Sequence, residues 1–157
     1  MREIDTKVRK IRADELQYLL ELYDHLHEND IPRPSDSQLN RVWKEVFDSK
    51  STNIYVVERK KKIVSSCVLT IIPNLTRGAR PYALIENMIT HPDYRRLGFA
   101  IALLRHVINQ CKIKNCYKIM LLSSKSRDRA HNLYKKGGFN NEEKYGFVLN
   151  LKDDNIE

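Results

Sequence analysis

"ENMITHPDYRRLGFAIALLRHVINQ", residues 86–110, changes character twice along its length. The β-rich run at its start ends at His91-Pro92, because proline has no N–H to give a sheet ladder. Two arginines, Arg95 and Arg96, and a lone glycine, Gly98, come next. From Phe99 to Cys111 the residues Ala100, Leu103, Leu104, Val107, Ile108 and Cys111 then share one helical face. The order predicts a strand, a tight connection and an amphipathic helix.

Upstream, "RPYALIENMIT" extends the first run into a strand over Ala83 to Thr90. Downstream, "CYKIMLL" reads as a short buried strand over Tyr117 to Leu122. Strand, helix and strand make a βαβ unit with parallel strands, and ligands favour the carboxyl ends of such strands. Earlier still, "NIYVVERKKKIVSSCVLTII" predicts an antiparallel hairpin, with β-branched residues flanking a charged turn.

The N-terminal part predicts two helices. Leu16, Leu19, Leu20, Leu22, Tyr23 and Leu26 give the first, between Ile11 and His27, with a short strand over Lys7 to Ile11 before it. "HENDIPRPSDS" then breaks the chain with two prolines. Ser35 or Ser37 caps a second helix that ends near Ser49, with Leu39, Val42, Trp43, Val46 and Phe47 as its buried stripe. At the other end, a helix from Arg127 to Lys136 stops at Gly137-Gly138, and "FNNEEKYGFVLNL" predicts one or two closing strands. The fold expected is α/β in the mixed α+β sense. It has a mostly antiparallel sheet, a central parallel βαβ unit and helices on both faces, within one domain over 1–157.

At 157 residues, 41% apolar and 31% charged, the chain suits a globular protein with one core. A net charge of +8 favours an anionic partner without choosing among nucleic acid, membrane and phosphorylated small molecules. The start "MREIDTKVRK" lacks the apolar stretch of a secretory signal and no segment is long and apolar enough to span a bilayer, so a cytoplasmic location is expected. Cys67, Cys111 and Cys116, odd in number, are read as packed thiols rather than a disulfide framework. His25 and His27 point in different directions on their helix, and no metal site is expected.

The connection before the long helix carries the chemistry. A helix N-terminus presents unpaired N–H groups and a partial positive charge, and Gly98 and Ala100 leave an anion's approach open. Arg95 and Arg96 add donors suited to a diphosphate. Against this, Gly98 could simply end a turn beside solvated arginines. The spacing matches neither the dinucleotide-binding glycine fingerprint nor the phosphate loop of nucleotide triphosphatases.

"IENMITHPDYRRLGFA" followed by "NLYKKGGF" resembles the GNAT superfamily of N-acetyltransferases, whose acetyl-CoA signature is Gln/Arg-x-x-Gly-x-Gly/Ala. Arg95-Arg96-Leu97-Gly98-Phe99-Ala100 fits that signature at each specified position, and the resemblance covers roughly Tyr82 to Leu151. "ENMITHPDYR" and "CYKIMLL" look particularly like the glucosamine-6-phosphate N-acetyltransferase-like branch.

That resemblance implies acetyl-CoA as cosubstrate and a cofactor core over about 82–139, with acceptor-side elements over about 12–50 and 140–151. It implies a bulged fourth strand whose backbone at Met88, Ile89 and Thr90 meets the pantetheine arm. The pyrophosphate then falls to Arg95, Arg96, Leu97, Gly98, Phe99 and Ala100. The N–H of Met88 or Ile89 would stabilise the oxyanion of a tetrahedral intermediate.

Tyr134 matches the tyrosine that protonates the departing thiolate in many members, and otherwise is a packing residue. Glu86, two before Met88 and so on the same strand face, is the candidate base; its alternative is a strand carboxylate in an ion pair. Where the family often has asparagine this chain has Arg127, a candidate for a cofactor phosphate, as is Arg129. Glu28, Asp30 and Asp36 are candidates for holding a cationic amine.

The function expected is transfer of acetyl to a primary amine of a small molecule, with a possible homodimer through the "YGFVLNL" run. The alternatives are a protein lysine or N-terminal acetyltransferase and an acyl-CoA-binding protein without turnover. A nucleic-acid-binding module is not expected, since no basic recognition helix or aromatic RNA-binding motif is present.

Overall fold

Alternation of apolar residues on both sides of a charged tip makes the centre of the fold, a long antiparallel hairpin. In the computed structural model, which describes residues 7–27 and 30–151, β2 (Thr52–Arg59) and β3 (Lys62–Ile72) pair from Thr52↔Thr70 to Arg59↔Lys62. The tip residues Lys60 and Lys61 both have positive φ, 48° and 62°, as a tight two-residue hairpin turn demands.

The short β1 (Val8–Lys10) lines the β2 edge antiparallel, and β4 (Tyr82–Thr90) lines β3 antiparallel. Only two residues, Ile119–Met120, form β5, pairing parallel with Ala83 and Leu84 of β4. The sheet order is β1-β2-β3-β4-β5. The parallel pair therefore sits at one edge of the sheet rather than at its centre.

Helices cover both faces. α1 (Leu16–Tyr23) follows a 3-10 turn at Ala13–Glu15 and buries Leu19 and Leu22 with Ile54, Val56, Ile63 and Ile89. α3 (Phe99–Ile113) takes the other face: Tyr55, adjacent to Ile54 in β2 and so pointing oppositely, meets His106 with ring centroids 4.8 Å apart. Leu103, Leu104, Val107 and Cys111 are buried, as the helical spacing predicts; Phe99 joins them, while Ala100 and Ile108 are only half-buried. Burying each such side chain contributes about 1.5–3 kcal/mol.

α2 (Asp36–Asp48) starts where expected, with Ser35 Oγ accepting from Gln38 N. Its stripe differs from expectation, however, because no α2 residue is fully buried and Val42 and Phe47 are each 42% exposed.

The chain forms two compact units, Met1–Leu121 and Leu122–Glu157. In the second, α4 (Asp128–Lys136) ends at Gly137, and it is Gly138, at φ 91°, that takes the left-handed cap. The closing strands expected in "FNNEEKYGFVLNL" are not formed among the described residues. Tyr145, Phe147, Leu149 and Leu151 are all exposed, so the alternation has no partner ladder that would make it a strand. The "CYKIMLL" strand is likewise shorter than Tyr117 to Leu122.

An Arg9-centred ion cluster ties β1 to the turn before α1. Arg9 donates to both oxygens of Glu15, at 2.8 and 2.7 Å, and to Glu58 at 2.5 Å, while the Arg12 N–H adds a bond to Glu15 at 2.8 Å. The Arg9 hydrogen bond, ahead of the opposing cost of burial, holds the Glu15 carboxyl below its ordinary range.

Candidate functional site

One extra residue in β4 shapes the site. Ser66 faces Ile89 and Val68 faces Glu86, so two steps on β3 correspond to three on β4, and Asn87 and Met88 together oppose Cys67. Asn87 absorbs the insertion at φ 49°, a conformation asparagine tolerates better than most residues. This is the bulge that the family resemblance implies.

The bulge corrects one expectation. Ser66 and Val68 are two apart in extended backbone, so their partners Ile89 and Glu86 point to the same side, the α1 side. Plain alternation from Glu86 to Met88 does not hold across the insertion. Glu86 itself is exposed, and no ion pair engages it among the described residues.

Beyond Leu84 and Met120 the parallel pairing stops while β4 continues to Thr90, which leaves an open edge along its carboxyl half. Met88 and Thr90 there are half-buried. The Thr90 hydroxyl is 2.7 Å from Ser65 Oγ, and Ser65 also donates to the Ile89 carbonyl at 2.8 Å, which fixes the bulged end. Arg95 Nε donates to the Thr90 carbonyl at 3.3 Å, anchoring the connection to the same strand end.

After a 3-10 turn at Pro92–Tyr94, Arg96 and Gly98 both take positive φ, 65° and 85°. Gly98 is the N-cap of α3 and no side chain caps the helix. A Cβ added at Gly98 would meet nothing within 4 Å, so the approach to the first-turn amides is open. Phe99 is 1% exposed and belongs to the core; only its N–H can face a ligand. Arg95, Arg96 and Leu97 are exposed. An uncapped helix end, two flanking guanidiniums and open space fit the diphosphate of coenzyme A.

In the second unit, Arg127 is the N-cap of α4 and its N–H donates to the Ser124 carbonyl at 3.0 Å. Tyr134 lies on the same helix, its ring 6.1 Å from that of Phe139. Among the acceptor-side carboxylates, Asp36 is the first residue of α2 and Asp30 lines a cavity of about 630 Å³ with Asp24, His27 and Arg33. Arg33 is already engaged, by Asp24 and by the Leu20 carbonyl at 2.7 Å. Glu28 lies outside the described residues.

Three residues were not singled out in the sequence. Asn87 and Tyr23 line a second cavity of about 230 Å³, bounded by α1, α2 and the sheet. Burial pushes the Tyr23 hydroxyl up to about 12, with Ser66 and Asn87 close enough to oppose the shift in part. Only Asn87 left a signal in the sequence, an αL-tolerant residue inside a β-rich run. Among the described residues no cluster of His, Cys, Asp and Glu could hold a metal ion, and no helix is long and apolar enough to cross a membrane.

Known proteins of similar sequence and fold fall in one family. A model of the acetyltransferase (GNAT) family matches residues 16–139. The chain is 30% identical over 146 residues to a glucosamine 6-phosphate N-acetyltransferase of Trypanosoma brucei brucei, a match covering 90% of this chain and 93% of the relative. Among solved structures, an acetyltransferase of Trypanosoma brucei shares 30% identity and a TM-score of 0.80, covering 94% of this chain and 100% of the other. The glucosamine-6-phosphate N-acetyltransferase of Arabidopsis thaliana, 20% identical, has a TM-score of 0.78 over 95% of this chain and 99% of its own, a likeness of fold alone.

Proposed function

The chain belongs to the acetyltransferase (GNAT) family, and from that premise we propose that it transfers the acetyl group of acetyl-CoA to the primary amine of a small molecule. The observation that carries the reading is the uncapped, glycine-opened start of α3 set beside a bulged strand with an open edge.

Bound acetyl-CoA supplies an acetyl group activated as a thioester. First-turn N–H groups of α3, with Arg95 and Arg96, hold the diphosphate. Backbone groups of Met88, Ile89 and Thr90 take the pantetheine arm, and the N–H of Met88 or Ile89 meets the negative charge that develops on the carbonyl oxygen. An alkylamine titrates near ~10 and attacks only when neutral. Glu86, exposed on the α1 side, accepts its proton directly or through one water. The family resemblance assigns Tyr134 to the departing thiolate and Arg127 to a cofactor phosphate. The exposed apolar alternation from Tyr145 to Leu151 supports a homodimer, to be checked by sedimentation.

Two measurements test the reading. Millimolar acetyl-CoA is expected to raise the melting temperature, and no rise removes the cofactor assignment. Thiol release is then followed with amino sugars, alkylamines, polyamines and peptides. Turnover with small amines supports the proposal. Turnover with peptides alone moves it to protein acetylation, and binding without release makes the chain an acyl-CoA-binding protein.

A further inference from the structure

Native interiors pack to near-crystalline density and leave few voids larger than a water molecule. Between α1, α2 and the sheet, a groove of about 230 Å³, partly open to solvent, exceeds that size at the edge of the core. Leu16 and Leu20 of α1 and Leu39, Val42 and Val46 of α2 line it. Trp43 and Val46 pack against the core beneath α1, and the Trp43 indole N–H donates to the Ala13 carbonyl at 3.0 Å while its ring leans on Phe47, 5.5 Å away, so one end of α2 is fixed beside the groove.

The sheet side of the cavity is tied to the reacting groups. Val68 lines it, and Glu86 is the direct cross-strand partner of Val68. Such partners have Cβ atoms about 4.5–5.5 Å apart. Asn87, beside Glu86 at the bulge, lines the cavity as well. No lysine, arginine, aspartate or glutamate lines it, so a phosphate would find no counter-charge there.

We propose that this cavity seats the apolar group of the acceptor, a primary amine joined by a short chain to an aryl or branched alkyl group, with its nitrogen at Glu86. The inference rests on the acetyl-transfer reading and names the substrate class for that site. Size agrees, since an apolar cavity of roughly 150 Å³ takes up benzene; the larger volume admits a phenyl ring and two methylenes. In the transfer, nitrogen bonds to the acetyl carbon as the carbon–sulfur bond breaks. The proton lost by nitrogen passes to Glu86, and the thiolate is protonated to the free thiol.

Trp43 is the single tryptophan of the chain and lines the cavity, so its emission reports occupancy without turnover. Titration with 2-phenylethylamine is expected to change that emission saturably, whereas ethylamine and glucosamine 6-phosphate leave it flat. With acetyl-CoA present, kcat/KM for 2-phenylethylamine should exceed that for ethylamine roughly ten- to a hundredfold, the yield of burying a phenyl-sized group. Val46→Phe, which fills the cavity, should weaken both responses roughly tenfold or more while acetyl-CoA still raises the melting temperature. The proposal is overturned by a flat emission titration, by equal use of the two amines, or by saturable binding without acetylation. Failure of acetyl-CoA to stabilise the protein sinks the underlying reading instead, and the Trp43 titration still decides whether the cavity takes an apolar amine.

Discussion

Replacing Gly98 with alanine separates backbone strain from ligand contact, because the added methyl group has no neighbour within 4 Å to strike. Its cost to the unliganded protein is then conformational alone. At φ 85° an L-residue pays about 1–2 kcal/mol. For a protein of this size that lowers the melting temperature by roughly 2–8 °C. Acetyl-CoA at a hundred times its Kd stabilises the parent by about 2.7 kcal/mol. If the methyl group, standing over the first-turn amides, weakens binding tenfold, the same concentration gives only about 1.4 kcal/mol. Gly98→Asn should recover part of the stability, since asparagine accepts the left-handed region, without recovering the binding. Melting curves of the three proteins with and without acetyl-CoA read both quantities. An alanine variant that loses stability yet keeps the full ligand-induced rise would refute the placement of the diphosphate at α3.

Three further outcomes are expected. Glu86→Gln should lower kcat about a hundredfold or more with little change in affinity for acetyl-CoA, as steady-state thiol release would show; an unchanged kcat removes its role as base. Tyr134→Phe should lower kcat by roughly a hundredfold at unchanged melting temperature, and a loss of stability with normal kcat would make it a packing residue. Glu15→Gln should cost about 1.5–3 kcal/mol, because Arg9 and Arg12 lose the buried carboxylate they share while Arg9 keeps Glu58. The Glu15 carboxyl is held below 4.5 by Arg9, so its contribution is present above that pH and lost as pH falls through the lower folded-state value. Acid melting curves of parent and variant should therefore converge below pH 4.5, and a constant gap would contradict the assignment.

The parts of the fold that one segment can specify alone were legible in the sequence. Phe99 to Cys111 announces a helix because its buried face is written at three- and four-residue spacing, and Leu103, Leu104 and Val107 are fully buried. The start of α3 at Gly98 was legible too, since a glycine ahead of an apolar-periodic run marks the break before a helix. What depends on a partner was not. Phe147, Leu149 and Leu151 alternate like a strand, but hydrogen bonding to a neighbour makes a strand, and composition does not say whether one is in reach. Leu39, Val42 and Val46 mark the apolar side of α2, yet only Trp43 and Val46 pack against the core while Val42 and Phe47 stay largely exposed, a depth that tertiary packing decides. The bulge was implied by resemblance, while its position at Asn87 depends on the β3 register.

Beyond shaping a local geometry, the inserted residue puts the two ends of β4 in different reading frames. Up to Glu86 the strand keeps one odd–even phase against β3, and from Ile89 onward it keeps the opposite one. Deleting Asn87 would leave every side chain chemically intact, yet it would invert the facing of everything downstream of the gap or upstream of it. Substitutions along β4 are thus tolerated by phase rather than by parity: an apolar residue suits Ile85 and Ile89 for opposite faces of one sheet. A homologue lacking that single residue would have to rebuild the strand end that carries Met88, Ile89 and Thr90, even with all three unchanged.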